Sequence, residues 1–135
     1  MSFLSKIFGR AKKFEAQVEV DDIDCIKTEH FFDDDYFARI INKQSFPDYS
    51  IERNVHPSVY DASAHPSCFP VTFMMKKDEI PVLAVMIMKD NQRNAMISRG
   101  TYAILENKGI KYIRFYREMA NEREYVINRV RENLM

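Results

Sequence analysis

The sequence predicts an α/β fold, a mixed sheet flanked by helices in the order α-β-β-β-α-β-α. Three observations carry that expectation. The run Ile80 to Met88 is apolar on both strand faces, Val82, Ala84, Met86 and Met88 on one and Leu83, Val85 and Ile87 on the other. A strand with no polar face belongs inside a sheet covered on both sides. Apolar stripes at helical spacing lie before and after this run, and residues 110–116 (IKYIRFY) alternate as a strand does.

Taken in order, Phe32, Tyr36, Phe37, Ile40 and Ile41 recur at three- and four-residue steps and predict a helix over residues 28–44. Asp33, Asp34 and Asp35 sit in its early turns, where carboxylates favour the positive end of the helix dipole. Phe46-Pro47-Asp48 stops it, because the residue before proline is biased out of helical geometry. Residues 49–56 alternate loosely as a first strand, and an irregular stretch follows through Pro57, Pro66 and Pro70. Residues 71–76 and 80–88, joined by Lys77-Asp78-Glu79, read as a β-hairpin. Residues 92–108 read as a helix with the stripe Met96, Ile97, Thr101, Ile104 and Leu105, ended by Gly109. Asn121 followed by Glu124 resembles a capping box opening a last helix. Its buried stripe is Val126 or Ile127, Val130 and Leu134.

The chain has 135 residues, enough for one domain. A content of 46% hydrophobic residues excludes a disordered chain. Twenty basic residues balance twenty acidic ones, so global charge drives binding to neither nucleic acid nor membrane. Cys25 and Cys68 show no paired or metal-type spacing and read as free thiols of a reducing cytoplasm. Residues 1–24 form an amphipathic basic segment with an acidic connector, and residues 25–135 a single α/β domain. Phe3, Leu4, Ile7 and Phe8 oppose Lys6, Arg10, Lys12 and Lys13, the pattern of a helix lying on an anionic membrane surface or against a partner.

The element order over residues 28–134, with the hairpin VTFMMKKDEIPVLAVMIM and the helix end ENKGIKYIRF, resembles the PD-(D/E)xK nuclease superfamily, the restriction-endonuclease-like fold. The resemblance implies an aspartate on the first hairpin strand and an acid-spacer-lysine triplet on the second. Here these positions carry Thr72 and Met86-Ile87-Met88. Magnesium needs hard oxygen ligands and a thioether is a soft one, so the catalytic centre reads as lost. The expected protein is therefore a non-catalytic binding or assembly module in the cytoplasm of a bacterial cell, with no cofactor and no metal. Its expected partner is a protein or peptide held in an apolar former cleft around Thr72, Met86 and Met88, with a homodimer left open.

Two alternatives stand beside this reading. Glu52, Asp61 and Asp90 are candidates for relocated acids of a divergent metal-dependent nuclease, and residues 1–13 for a peripheral membrane contact. His56, His65 and Cys68 contain a His-x-x-Cys step but lack the four-ligand spacing of structural zinc, and read as loop residues. Arg114, Arg117, Arg123, Arg129 and Arg131 interleave with Tyr112, Phe115, Tyr116 and Tyr125, a weak case for nucleic acid. Glu118, Glu122, Glu124 and Glu132 among them favour a salt-bridged helix face.

Overall fold

The computed structural model describes residues 32–135, and within them Phe32–Arg117 and Asn121–Met135 form one unit. Cys25 and the four apolar residues Phe3, Leu4, Ile7 and Phe8 lie outside the described residues. The unit contains α1 (Asp34–Ala38), β1 (Ser50–Val55), β2 (Val71–Lys77), β3 (Ile80–Met88), α2 (Met96–Asn107), β4 (Tyr112–Tyr116) and α3 (Arg123–Leu134). This is the α-β-β-β-α-β-α order that the patterning predicts. The four strands form one sheet in the order β1-β2-β3-β4. The β1–β2 and β2–β3 pairs are antiparallel and the β3–β4 pair is parallel, so the sheet is mixed.

Each sheet face carries its own core. Phe73, Met75, Leu83, Val85, Ile87, Ile113 and Phe115 pack against α1 and α3 through Phe37, Val126 and Val130. Met74, Ala84, Met86 and Met88 pack against Tyr102 and Leu105 of α2 on the other face. The two-sided β3 run is thus explained: each of its faces meets a helix layer.

Three elements depart from their expected form. The first helix is five residues, Asp34–Ala38. Its chain end is taken over by Asn42, whose Nδ2 donates to the carbonyls of Ala38 and Arg39 while Oδ1 accepts from the Ser45 N–H. A side-chain amide competing with the ladder breaks the helix into turns. The apolar spacing survives, since Phe37, Ile40 and Ile41 are all buried. The second helix starts at Met96, because Gln92 folds back to accept from the Lys89 N–H at 2.7 Å and closes a separate 3-10 turn over Asp90–Gln92. Its buried face is Ser98, Thr101, Tyr102 and Leu105, whereas Met96 is 78% and Ile97 37% exposed. Thr101 and Leu105 are inward as the stripe predicts; Ser98 and Tyr102, both hydroxyl-bearing, are the inward positions it omits.

The last helix is the third correction. Asn121 does not cap it; Glu122 holds that position without a side-chain bond. Asn121 is buried and its Nδ2 donates to the Tyr116 carbonyl at 2.8 Å, while its own carbonyl accepts from the Tyr36 hydroxyl. Gly109, by contrast, ends α2 as expected. At φ 72° it lets the Gly109 and Ile110 N–H groups donate to the Glu106 and Leu105 carbonyls, the Schellman closure.

The hairpin turns on Asp78 and Glu79, at φ 53° and 67°. Two successive left-handed residues make the turn that matches strand twist, and Gly or Asn normally occupy it. Glu79 bears a Cβ there, at a cost of about 1 kcal/mol. Glu79→Gly is expected to stabilise the chain by about 0.5–1 kcal/mol, part of the relief being offset by added freedom in the unfolded chain. The urea midpoint checks it.

Candidate functional site

The positions that the nuclease resemblance singles out lie on β2 and β3. Thr72 is 4% exposed, and its Oγ1 accepts from the Ile87 N–H at 3.0 Å. Alternation along β2 fails at this level: Phe73 and Met75 lie in the core under α1 and α3, yet Val71 packs with Met74 under α2. On the neighbouring strand Asn54 takes φ 56° between the Arg53–Phe73 and Val55–Val71 pairs. The Thr72 hydroxyl therefore supplies an acceptor to the β3 backbone where the β2–β3 register, which begins at Phe73–Val85, no longer reaches. Thr72→Val, nearly isosteric, leaves that buried N–H unpaired and is expected to cost about 1–3 kcal/mol, whereas Thr72→Ser keeps the bond. Urea denaturation of the two variants separates hydroxyl from methyl.

The apolar groove expected around Thr72, Met86 and Met88 is not there. Both methionines are 0% exposed, enclosed by Val55, Val71, Met74, Tyr102, Leu105 and Ile110. The Tyr102 hydroxyl donates to Met88 Sδ at 3.5 Å. Helix α2 lies over this face, and unbranched thioethers fill the gap between helix and sheet.

The proposed relocated acids do not converge either. Glu52 pairs with Lys76 across the β1–β2 ladder at 3.0 Å. Asp61 accepts from both the N–H and the hydroxyl of Ser63, which hold its carboxyl below the usual range. Asp90 lies 3.8 Å from Arg93. Among the described residues no three His, Cys, Asp or Glu side chains group so as to hold a metal ion.

His56, His65 and Cys68 are loop residues with structural tasks. Each histidine opens a His-Pro-Ser step, His56-Pro57-Ser58 and His65-Pro66-Ser67. In both, Nδ1 accepts the serine N–H two residues on, at 3.1 Å. His56 Nε2 then donates to the Pro66 carbonyl at 3.1 Å, tying the second step to the first. The repeated tripeptide was the available sequence signal for this. Cys68 is a buried free thiol, set so close to α2 that a Cβ on Gly100 would lie 3.1 Å from its Sγ.

The basic and aromatic residues near the C-terminal end divide between the two faces of β4. On the α2 side, Arg114 lies 5.1 Å from the Tyr102 ring centroid, and Tyr102 stacks on Tyr112 with centroids 5.0 Å apart. On the α3 side, Arg129 lies 5.4 Å from the Phe115 centroid. The Tyr112 hydroxyl donates to Glu106 Oε2 at 2.5 Å. Burial first, then the bond to Glu106 and its charge, push the Tyr112 pKa up to about 12. An unfolded tyrosine ionises near pH 10. The stabilising effect is therefore complete below pH 10 and is lost as pH rises toward 12, because the unfolded chain releases its proton first. Phenolate absorbance is expected to show a late-titrating tyrosine that moves down in Glu106→Gln.

Arg117, directly after β4, is a structural clamp. Its Nη2 meets Asp34 Oδ1 at 2.7 Å and the Ile87 carbonyl at 3.4 Å, and Nη1 donates to the Phe32 carbonyl at 3.1 Å. With Asp33, Asp34 and Asp35 it lines a shallow recess of about 320 Å³. Arg123 and Arg131 are exposed on α3. No helix among the described residues is long and apolar enough to cross a membrane. No family model, curated protein or solved structure matches the chain.

Proposed function

We propose that the chain is a non-catalytic binding or assembly module built on a nuclease-like α/β scaffold and working in a bacterial cytoplasm. One observation carries this reading. The strand positions where a hydrolase of this shape would present its acids and lysine are committed to folding, Thr72 to the Ile87 N–H and Met86 and Met88 to the core under α2. A phosphodiester could not reach them, and thioethers would not hold a magnesium ion if it did. The buried free thiol of Cys68 suits a reducing compartment. Binding must then use the outer surface of the unit.

The test is cleavage of supercoiled plasmid and of single-stranded DNA by the purified chain in magnesium and in manganese. The expected result is no cleavage above a metal-free control. Metal-dependent cleavage abolished by Asp61→Ala or Asp90→Ala would replace this reading with a nuclease of relocated acids.

A further inference from the structure

Among the described residues, strand β4 is an edge of the four-stranded sheet. The bonds from the Ala84 N–H to the Lys111 carbonyl and from the Arg117 N–H to the Met88 carbonyl set the parity of the parallel pair. The backbone groups of Ile113 and Phe115 turn toward β3 and those of Tyr112, Arg114 and Tyr116 turn outward. The Asn121 amide closes the Tyr116 carbonyl, at the far end of the strand. Among the described residues β4 pairs only with β3, which leaves the N–H and C=O of Tyr112 and Arg114 and the N–H of Tyr116 facing out.

The two edges of the sheet are unlike. β1 carries Asn54 in a left-handed conformation, which interrupts the regular edge and blunts it against further pairing. No residue of β4 has a positive φ. Its segment, Gly109 to Arg117, contains Lys111, Arg114 and Arg117 and no acid. Arg114 sits on the α2 face and Arg129 on the α3 face beside it, and both are half-buried. A residue paired opposite Arg114 would point to the Arg114 side, and its neighbours to the Arg129 side.

We propose that the β4 edge binds an extended acidic peptide as an added strand, an inference that rests on the reading of the chain as a binding module. Main-chain bonds to Tyr112, Arg114 and Tyr116 would supply affinity, and a row of carboxylates on one face of the added strand, meeting Arg114 or Arg129 according to register, would supply selectivity. A second copy of the chain is the poorer occupant. An antiparallel β4–β4 pair centred on Arg114 sets Arg114 against Arg114 and Lys111 against Arg117, and like charges opposed across a ladder are destabilising.

The test uses the full chain and a fluorescently labelled peptide of alternating valine and aspartate, with an alternating valine–lysine peptide as comparison. The expected result is saturable binding of the aspartate peptide, at least tenfold tighter than the lysine peptide at low salt. N-methylation of alternate amides of the aspartate peptide is expected to abolish binding, and Arg114→Glu to weaken it about tenfold. Because methylation alters only the ligand, that arm holds even if Arg114→Glu disturbs the fold. Equal binding of both peptides, indifference to methylation, absence of binding, or a concentration-dependent dimer occupying the edge would each overturn the proposal. If the peptide fails while DNA cleavage is also absent, the strand-addition idea falls and the module reading stands; if cleavage is found, the module reading falls by itself.

Discussion

Rebuilding the acid-spacer-lysine triplet as Met86→Asp with Met88→Lys is expected to unfold the chain rather than endow it with hydrolysis. Both side chains are 0% exposed and surrounded by Val71, Met74, Tyr102 and Leu105. Neither introduced charge would reach water, and the expected loss is more than about 4 kcal/mol. That rivals the whole stability of an ordinary domain, about 5–15 kcal/mol. Met86→Leu, which keeps volume and polarity, is expected to cost less than about 1.5 kcal/mol. Near-ultraviolet circular dichroism and urea titration would distinguish the two. A folded double variant that cleaves DNA in magnesium would mean that α2 leaves this face open, and the binding-module reading would be lost with it.

The second large effect is expected at Arg117. One guanidinium joins the segment leading into α1, the first turn of α1 and the end of β3 through Phe32, Asp34 and Ile87. Arg117→Ala removes two good bonds and one weak one and leaves the Asp34 carboxylate without its cation. The side chains are 23% and 34% exposed, so the Coulomb part is discounted and the carbonyl bonds supply much of the total. The expected loss is about 2–3 kcal/mol. Arg117→Lys should recover less than half, since a single ammonium cannot span the fork that serves three oxygens. A double-mutant cycle with Asp34→Asn would isolate the ion pair, expected at about 1 kcal/mol. A loss within about 0.5 kcal/mol for Arg117→Ala would show that the clamp is ornamental.

Local patterning foretold most of the architecture. The hairpin, with its first strand one residue longer than expected and its turn correspondingly shorter, the central place of β3, the α2 stop at Gly109 and the buried stripe of α3 all follow from spacing and turn chemistry. The departures share a cause. Asn42, Gln92 and Asn121 each have a side-chain amide that bonds backbone it does not adjoin. An amide of that kind is counted as polar by any periodicity argument, wherever its partner lies. The inward face of α2 was legible at Thr101 and Leu105 and missed at Ser98 and Tyr102, because a small hydroxylic serine and an amphipathic tyrosine pack under a helix as readily as they face water.

The candidate site was legible only in part. That Thr72, Met86 and Met88 are the wrong residue types for a divalent cation is visible in the chain itself. That Glu52, Asp61 and Asp90 are each engaged locally, with Lys76, Ser63 and Arg93, is a matter of neighbours.

By itself the sequence determined which residues are apolar on which face of each element, hence the element order and a sheet covered on both sides. Only the tertiary structure decided what lies on each face: α2 over the methionines, a threonine hydroxyl serving a backbone N–H fifteen residues away, and, among the described residues, β4 at the end of the sheet. Periodicity records the chemistry of a surface, and it is long-range packing that chooses whether that surface meets a helix or water.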